Sequence, residues 1–286
     1  MGVAVKLGFN MLLWATHVTE AHLPIIEDLK KTGYDGVEIP MFEGDPEYFR
    51  SLGHRIRDLG LQAIGVGVMP GGGKNAVSPD PAERAGALAH LKWLTDCTEA
   101  LGGDLLCGPL HQPLGTFTGL GPTADEVERA VAILKQAATY AGRAGVQIAV
   151  EPVNRFECYF LNTAAQAAAF VRQVDAPNLG YLYDTFHFNI EEESLTAVIP
   201  QTIGQINHVH ISENNRGVPG AGHIDFPAVF KALKSSGYDG WMTIESFGSA
   251  LPDLAAATKI WRPLFGAPED VYRKGFRVMR DGWDAV

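Results

Sequence analysis

The chain has 286 residues, enough to bury a large core, and its 46% hydrophobic and 20% charged composition is that of a globular protein. A formal net charge of -10 argues against a nucleic-acid backbone as the main partner, because a carboxylate-rich surface repels phosphates. No apolar run approaches the roughly 20 residues of a membrane helix, no secretory leader is evident, and Cys97, Cys107 and Cys158 lack paired spacing, so a cytoplasmic, reducing location is expected.

Taken in chain order, short apolar or β-branched runs alternate with longer segments of helical period. The predicted strands are 4–11, 34–39, 61–68, 103–109, 146–151, 179–184, 206–212 and 241–246. Helices are expected near 20–32, 46–59, 80–101, 123–144, 163–173, 192–203, 226–236 and 249–264. Several start behind an Asn, Asp, Ser or Thr, as N-caps should, and Gly33, Gly60, Gly145 and Gly237 stand where a C′ glycine ends a helix. Eight such alternations without a break in composition predict a single (β/α)8 TIM barrel over residues 1–286. The rival, an open doubly wound sheet, lacks its Gly-x-Gly-x-x-Gly fingerprint after the first strand. In the tail, 266–286, Tyr272, Phe276, Met279 and Trp283 recur at helical spacing, which reads as an extra C-terminal helix on the outside of the barrel.

Alternation within each strand assigns side chains to the barrel axis. In 146–151, Val146, Ile148 and Val150 face the helices, while Gln147, Ala149 and Glu151 face inward. The same logic turns Thr243 and Glu245 inward, gives His208 and His210 one face, and leaves Asp184 at the end of its strand. Four consecutive strands thus deliver Glu151, Asp184, His210 and Glu245 to the C-terminal rim, where active sites of this fold lie. A single strand-end carboxylate reads as a helix cap; four ionisable groups at equivalent positions do not. Three crowded carboxylates need a counter-charge, and a mainly oxygen donor set with one imidazole suits Mn2+ first, with Mg2+ or Co2+ behind it. Glu38, inward-facing on the second strand, reads as a structural hydrogen-bonding group or a support for the ligands. His208 reads as a buried residue below the metal. Gly71 to Gly73 with Lys74 offer a phosphate cradle or, more in keeping with the acidic charge, a lid.

The motifs EPVNRFECYFLNT (151–163), DTFHFNIEE (184–192), HVHISENNRG (208–217), GAGHIDF (220–226) and IESF (244–247) resemble those of the ketose 3-epimerases, the D-tagatose and D-allulose (D-psicose) enzymes of the xylose isomerase-like barrel superfamily. The resemblance implies metal binding by Glu151, Asp184, His210 and Glu245, with Glu151 and Glu245 as the catalytic pair. It implies that Glu157, His187, Arg216 and Phe247 bind substrate. The implied activity is metal-dependent epimerisation of free ketoses at C3, of the D-allulose/D-fructose, D-tagatose/D-sorbose or L-ribulose type. Two carboxylates would deprotonate and reprotonate C3 through an enediolate. The alternative is a related isomerase or dehydratase of the hydroxypyruvate isomerase or inosose dehydratase type. A small-molecule ketose is the expected partner, with no nucleic acid or membrane, and a homodimer or homotetramer the expected assembly. Segments 11–17, 41–49 and 108–119 match no motif, and Ser212 to Arg216 departs from the commoner Gly-Glu-x-His-Arg form.

Overall fold

The strand-helix alternation closes on itself. A computed structural model describes residues 5–286; residues 1–4, on which the reading of the N-terminus and the start of the first expected strand fall, lie outside the described residues. The strands are β1 (Lys6–Asn10), β2 (Gly36–Pro40), β3 (Gln62–Val66), β4 (Leu105–Gly108), β5 (Gln147–Val150), β6 (Leu179–Asp184), β7 (Ile206–Ile211) and β8 (Trp241–Ile244). They form one closed barrel in chain order. Every pair is parallel, and β8 returns to β1 with Lys6 opposite Trp241 and Phe9 opposite Ile244. This is the expected TIM barrel.

The helices are α1 (Leu23–Thr32), α2 (Pro46–Asp58), α3 (Pro81–Leu101), α4 (Ala124–Arg143), α5 (Ala164–Val174), α6 (Thr185–Glu191), α7 (Val198–Thr202), α8 (Phe226–Ser235), α9 (Pro252–Thr258) and α10 (Pro268–Asp284). Local chemistry sets most of their ends. Side chains of Asp45, Asp80, Thr123, Thr163 and Asp225 accept backbone N–H groups of the first turn. The four predicted terminal glycines, Gly33, Gly60, Gly145 and Gly237, have φ of 119°, 77°, 71° and 83°, the left-handed region where a Cβ is disfavoured.

Two expected helices differ. Of the helix foreseen at 192–203 only α7 forms, and a separate α6 precedes it, because Asp184 ends β6 and at once caps α6 by accepting the N–H of Phe186 at 2.8 Å. The chain then breaks between α6 and α7. The helix foreseen at 249–264 is only α9, which stops where Lys259 turns left-handed at φ 62°.

Packing follows the strand alternation. Ile148, Val150, Met242 and Ile244 belong to the outer layer beneath the helices, while Leu105, Cys107, Ala149 and Leu182 line the axis. At the N-terminal mouth the Trp241 ring fills the axis, and a Cβ on Gly36 would stand 2.5 Å from it. Helix α10 buries Val271, Tyr272, Met279 and Trp283 in the outer core, and Tyr34 donates its hydroxyl to the Tyr272 carbonyl at 2.7 Å. No helix among the described residues is long and apolar enough to cross a membrane.

Candidate active site

Each of the last four strands ends in an ionisable side chain. Glu151 follows β5, its N–H held by the Gly108 carbonyl at 2.8 Å; Asp184 closes β6, His210 lies on β7 and Glu245 follows β8. The structure brings all four together: they are buried, and one donor atom from each lies within 4.8 Å of the others. The axial alternation read from the sequence is the reason, since all four occupy inward positions at the same rim.

A fifth group completes the cluster. Arg216, only 5% exposed, sends Nη1 to Asp184 Oδ2 and Glu245 Oε2, both at 2.7 Å, and to Ser212 Oγ at 2.9 Å. Its backbone is left-handed (φ 62°), and its carbonyl accepts the Ser246 hydroxyl at 2.6 Å and the Phe247 N–H at 3.2 Å. Those two bonds fasten the β7–α8 loop to the end of β8, and the guanidinium lies over the rings of Phe186 (4.0 Å) and Phe247 (5.1 Å).

One guanidinium does not satisfy the set. Glu151 Oε1 and His210 Nδ1 are buried with no hydrogen-bond partner among the described residues, an arrangement that costs free energy when lone pairs face a dry interior. His210 Nδ1 stands 3.5 Å from Glu245 Oε2 and 4.0 Å from Asp184 Oδ2. Lone pairs converging on one point fit a cation, and this buried Glu/Asp/His group is suited to hold a metal ion.

The charges tune one another. Burial pushes the Glu151 carboxyl above its ordinary value, and Glu245 adds to the rise against the pull of His187. Burial acts the same way on Asp184, but Arg216, His187 and His210 outweigh it and hold that carboxyl low. His210 is depressed by burial, yet Glu38 and Glu245 dominate and raise it well above the usual imidazole range.

Beneath the cluster lies a layer that the sequence suggested only in outline. Glu38 takes His208 Nε2 at 2.9 Å and His210 Nε2 at 3.1 Å. Burial would raise its carboxyl, but the two histidines more than offset this and hold it well below the usual carboxylate range. His208 is buried below the cluster, as expected, and contributes no atom to the four-residue set. Asn10 was missed. Its amide Nδ2 donates to Glu38 Oε1 at 2.7 Å and to Glu245 Oε1 at 3.0 Å. Strand alternation, applied to β1 as it was to β5, would have turned Asn10 inward beside Gly8.

The expected substrate contacts are placed at different depths. His187, on α6, accepts the Asn154 N–H at Nδ1 (3.0 Å) and turns Nε2 toward Glu151 Oε1 at 3.4 Å. Arg216 Nη2 stands 2.9 Å from the same Nε2. The Asn154 backbone can only donate, so Nδ1 accepts, while Nε2 faces both a donor, the Arg216 guanidinium, and an acceptor, the Glu151 carboxylate. Glu157 is half-buried and joins the cluster indirectly, through Asn154 Nδ2 at 2.7 Å. Phe247 is buried beside Arg216. Glu213, unremarked in sequence, is fully buried and accepts N–H groups of Asn214, Gly220 and Ile224, which ties down the loop that carries Arg216. In the unmatched segment after β4, His111 and Gln112 are buried, and Cys158 donates its thiol to Gln112 Oε1 at 2.8 Å. Burial pushes the Cys158 thiol up to about 11, which keeps it protonated at neutral pH.

Two open cavities lie away from this centre. One of about 370 Å³ is at the N-terminal mouth, lined by Lys6, Asp104, Asn207 and Trp241, the end of such barrels associated with stability. Another of about 410 Å³ lies among Phe42, Lys74, His90 and Trp93. Neither gathers buried opposed carboxylates, as the rim cluster does.

A profile of the xylose isomerase-like TIM barrel family matches residues 26–282. The L-ribulose 3-epimerase of Mesorhizobium japonicum is 36% identical over 91% of this chain and 88% of its own length. The ketose 3-epimerase of Arthrobacter globiformis is 31% identical over 99% of this chain and 98% of its own. Among solved structures, an L-ribulose 3-epimerase superposes with a TM-score of 0.92 at 32% identity, over 98% of this chain and 95% of the other. D-allulose 3-epimerase from Methylomonas sp. in complex with D-allulose superposes with a TM-score of 0.90 at 30% identity, over 98% and 99%. With the barrel, the family profile and full-length relatives in agreement, this chain belongs to the xylose isomerase-like TIM barrel family, within its ketose 3-epimerases, and is an enzyme of the isomerase class.

Proposed function

We propose that the protein interconverts free ketoses that differ at C3, of the D-allulose/D-fructose, D-tagatose/D-sorbose or L-ribulose type. The observation that carries this reading is the pairing of Glu151, from β5, with Glu245, from β8, in one buried cluster. Inversion at carbon needs a base on one face and an acid on the other, and two carboxylates from separated strands supply both roles. A single carboxylate serves an aldose-ketose isomerase, so the second one is what favours epimerisation over the isomerase or dehydratase alternative.

Glu151, Asp184, His210 and Glu245 would hold a divalent cation, Mn2+ by preference and Mg2+ or Co2+ next, because the set is mainly hard oxygen. When bound, the cation supplies Lewis-acid polarisation of the carbonyl and counter-charge for an enediolate. The protein does the rest. Glu151 removes the C3 proton from one face. Glu245 returns a proton on the opposite face, and the two exchange roles in the reverse direction. His187 and Arg216 orient the carbonyl end, Glu157 acts from the margin through Asn154, and Phe247 walls the site against water.

The test is incubation with Mn2+ and a panel of ketohexoses and ketopentoses in deuterated water. Deuterium at C3 of both epimers is expected. Deuterium at C1 of the ketose and C2 of an aldose product would favour the isomerase, and a bound sugar without exchange would favour a non-catalytic binding module.

A further inference from the structure

Glu38 lies on β2, across the barrel axis from β7, and is fully buried. Three donors converge on its carboxylate: Asn10 Nδ2 at 2.7 Å, His208 Nε2 at 2.9 Å, and His210 Nε2 at 3.1 Å from one oxygen and 3.2 Å from the other. A carboxylate only accepts, so Glu38 holds a proton on Nε2 of His210, and Nδ1 is the nitrogen turned to the cluster. Among the described residues Nδ1 has no hydrogen-bond partner, and it faces the oxygens of Glu245 and Asp184 at 3.5 and 4.0 Å. Asn10 meanwhile spans from Glu38 to Glu245 Oε1, 3.0 Å away.

We infer that Glu38 is the positioning residue of the cation site: it sets the tautomer and ring orientation of His210 directly and the carboxylate of Glu245 through Asn10. A ligand imidazole whose other N–H is held by a carboxylate is oriented and made more basic. Two of the four ligands are then held from β1 and β2, strands that contribute no ligand themselves. The inference rests on the proposed ligand role of His210 and Glu245. Its competitor is a second cation held by Glu38, Cys107, His208 and His210, whose donor atoms also lie within 4.8 Å of one another. The hydrogen-bonding distances from both Nε2 atoms favour donation to Glu38 over shared ligation.

The experiment titrates the metal-stripped full-length protein with Mn2+, reading free ion by electron paramagnetic resonance, for the wild type and for Glu38→Gln and His210→Gln. Imidazole 15N shifts of the Mg2+-loaded wild type report the tautomer without any variant. One equivalent of Mn2+, a loss of about 10–100-fold in affinity for folded Glu38→Gln, and a proton on Nε2 of His210 are expected. Wild-type affinity in Glu38→Gln, or a proton on Nδ1 in the loaded wild type, would overturn the inference. So would two equivalents in the wild type with one lost in Glu38→Gln, since Glu38 would then be a ligand. Equal Mn2+ affinity of wild type and His210→Gln, or a doubly protonated His210 in the loaded protein, would sink the ligand assignment instead.

Discussion

The two halves of the barrel treat the rim cluster differently. Strands β5 to β8 each end in a group with lone pairs or negative charge: Glu151, Asp184, His210 and Glu245. Strand β1, which pairs with β8, answers with Asn10 and β2 answers from across the axis with Glu38, and their work is to orient two of those groups. Acceptors gathered on one side repel one another. A mobile solvent would screen them, but a dry interior does not, so their geometry has to come from rigid partners on the facing strands. Arg216 adds the only guanidinium nitrogen among the described residues that is hydrogen-bonded to two members of the set, Asp184 and Glu245.

This division of labour is open to attack at several points. The largest effect is expected on the chemical side: Glu151→Gln and Glu245→Gln should each lower turnover by about 10²–10⁴-fold, read as deuterium exchange at C3. Near-normal turnover in either variant would remove the two-carboxylate scheme. Next comes Arg216→Met in metal-stripped protein. It leaves Asp184 and Glu245 without their counter-charge, and breaking a buried pair costs about 3–5 kcal/mol, measurable by urea unfolding. An unchanged midpoint would show that these contacts carry no stability.

A smaller stabilisation should follow from cation binding. At 100 times the dissociation constant a ligand specific for the native state adds about 2.7 kcal/mol, so Mn2+ should raise the melting temperature and EDTA reverse it. Asp184→Asn should blunt that response; a full response in the variant would place the ion elsewhere. On the supporting side, Asn10→Ala should destabilise by about 1–3 kcal/mol, because it removes a donor shared by two buried carboxylates. A double-mutant cycle with Glu38→Gln sharpens the comparison, since strictly additive effects would mean that the two residues do not act together.

How legible this was in sequence differs along the chain. The four rim residues could be found because each ends an inward-facing alternation, and alternation is a property of the strand alone. Asp184 shows where that logic thins: the same side chain closes β6, caps α6 and takes Arg216, so the helix begins seven residues before the expected segment. Glu38 was visible as an inward carboxylate but not as the partner of two histidines, because β2 and β7 are distant in sequence and nothing local encodes their facing. Arg216 was expected at the substrate. Its grip on Asp184 and Glu245 depends on a left-handed turn and on two bonds from the end of β8.

Periodicity, capping side chains and terminal glycines therefore determined, from the sequence by itself, that eight strand-helix units would close a barrel with four ionisable groups at one rim. These are signals spanning a few residues, and the backbone obeys them wherever the segment lies. Which donors meet those groups, and which nitrogen of His210 is turned to the cluster, was decided only by the tertiary structure. Closure sets β1 beside β8 and β2 across the axis from β7, and a hydrogen bond of 2.7 to 3.2 Å is specified by that juxtaposition and not by any local pattern.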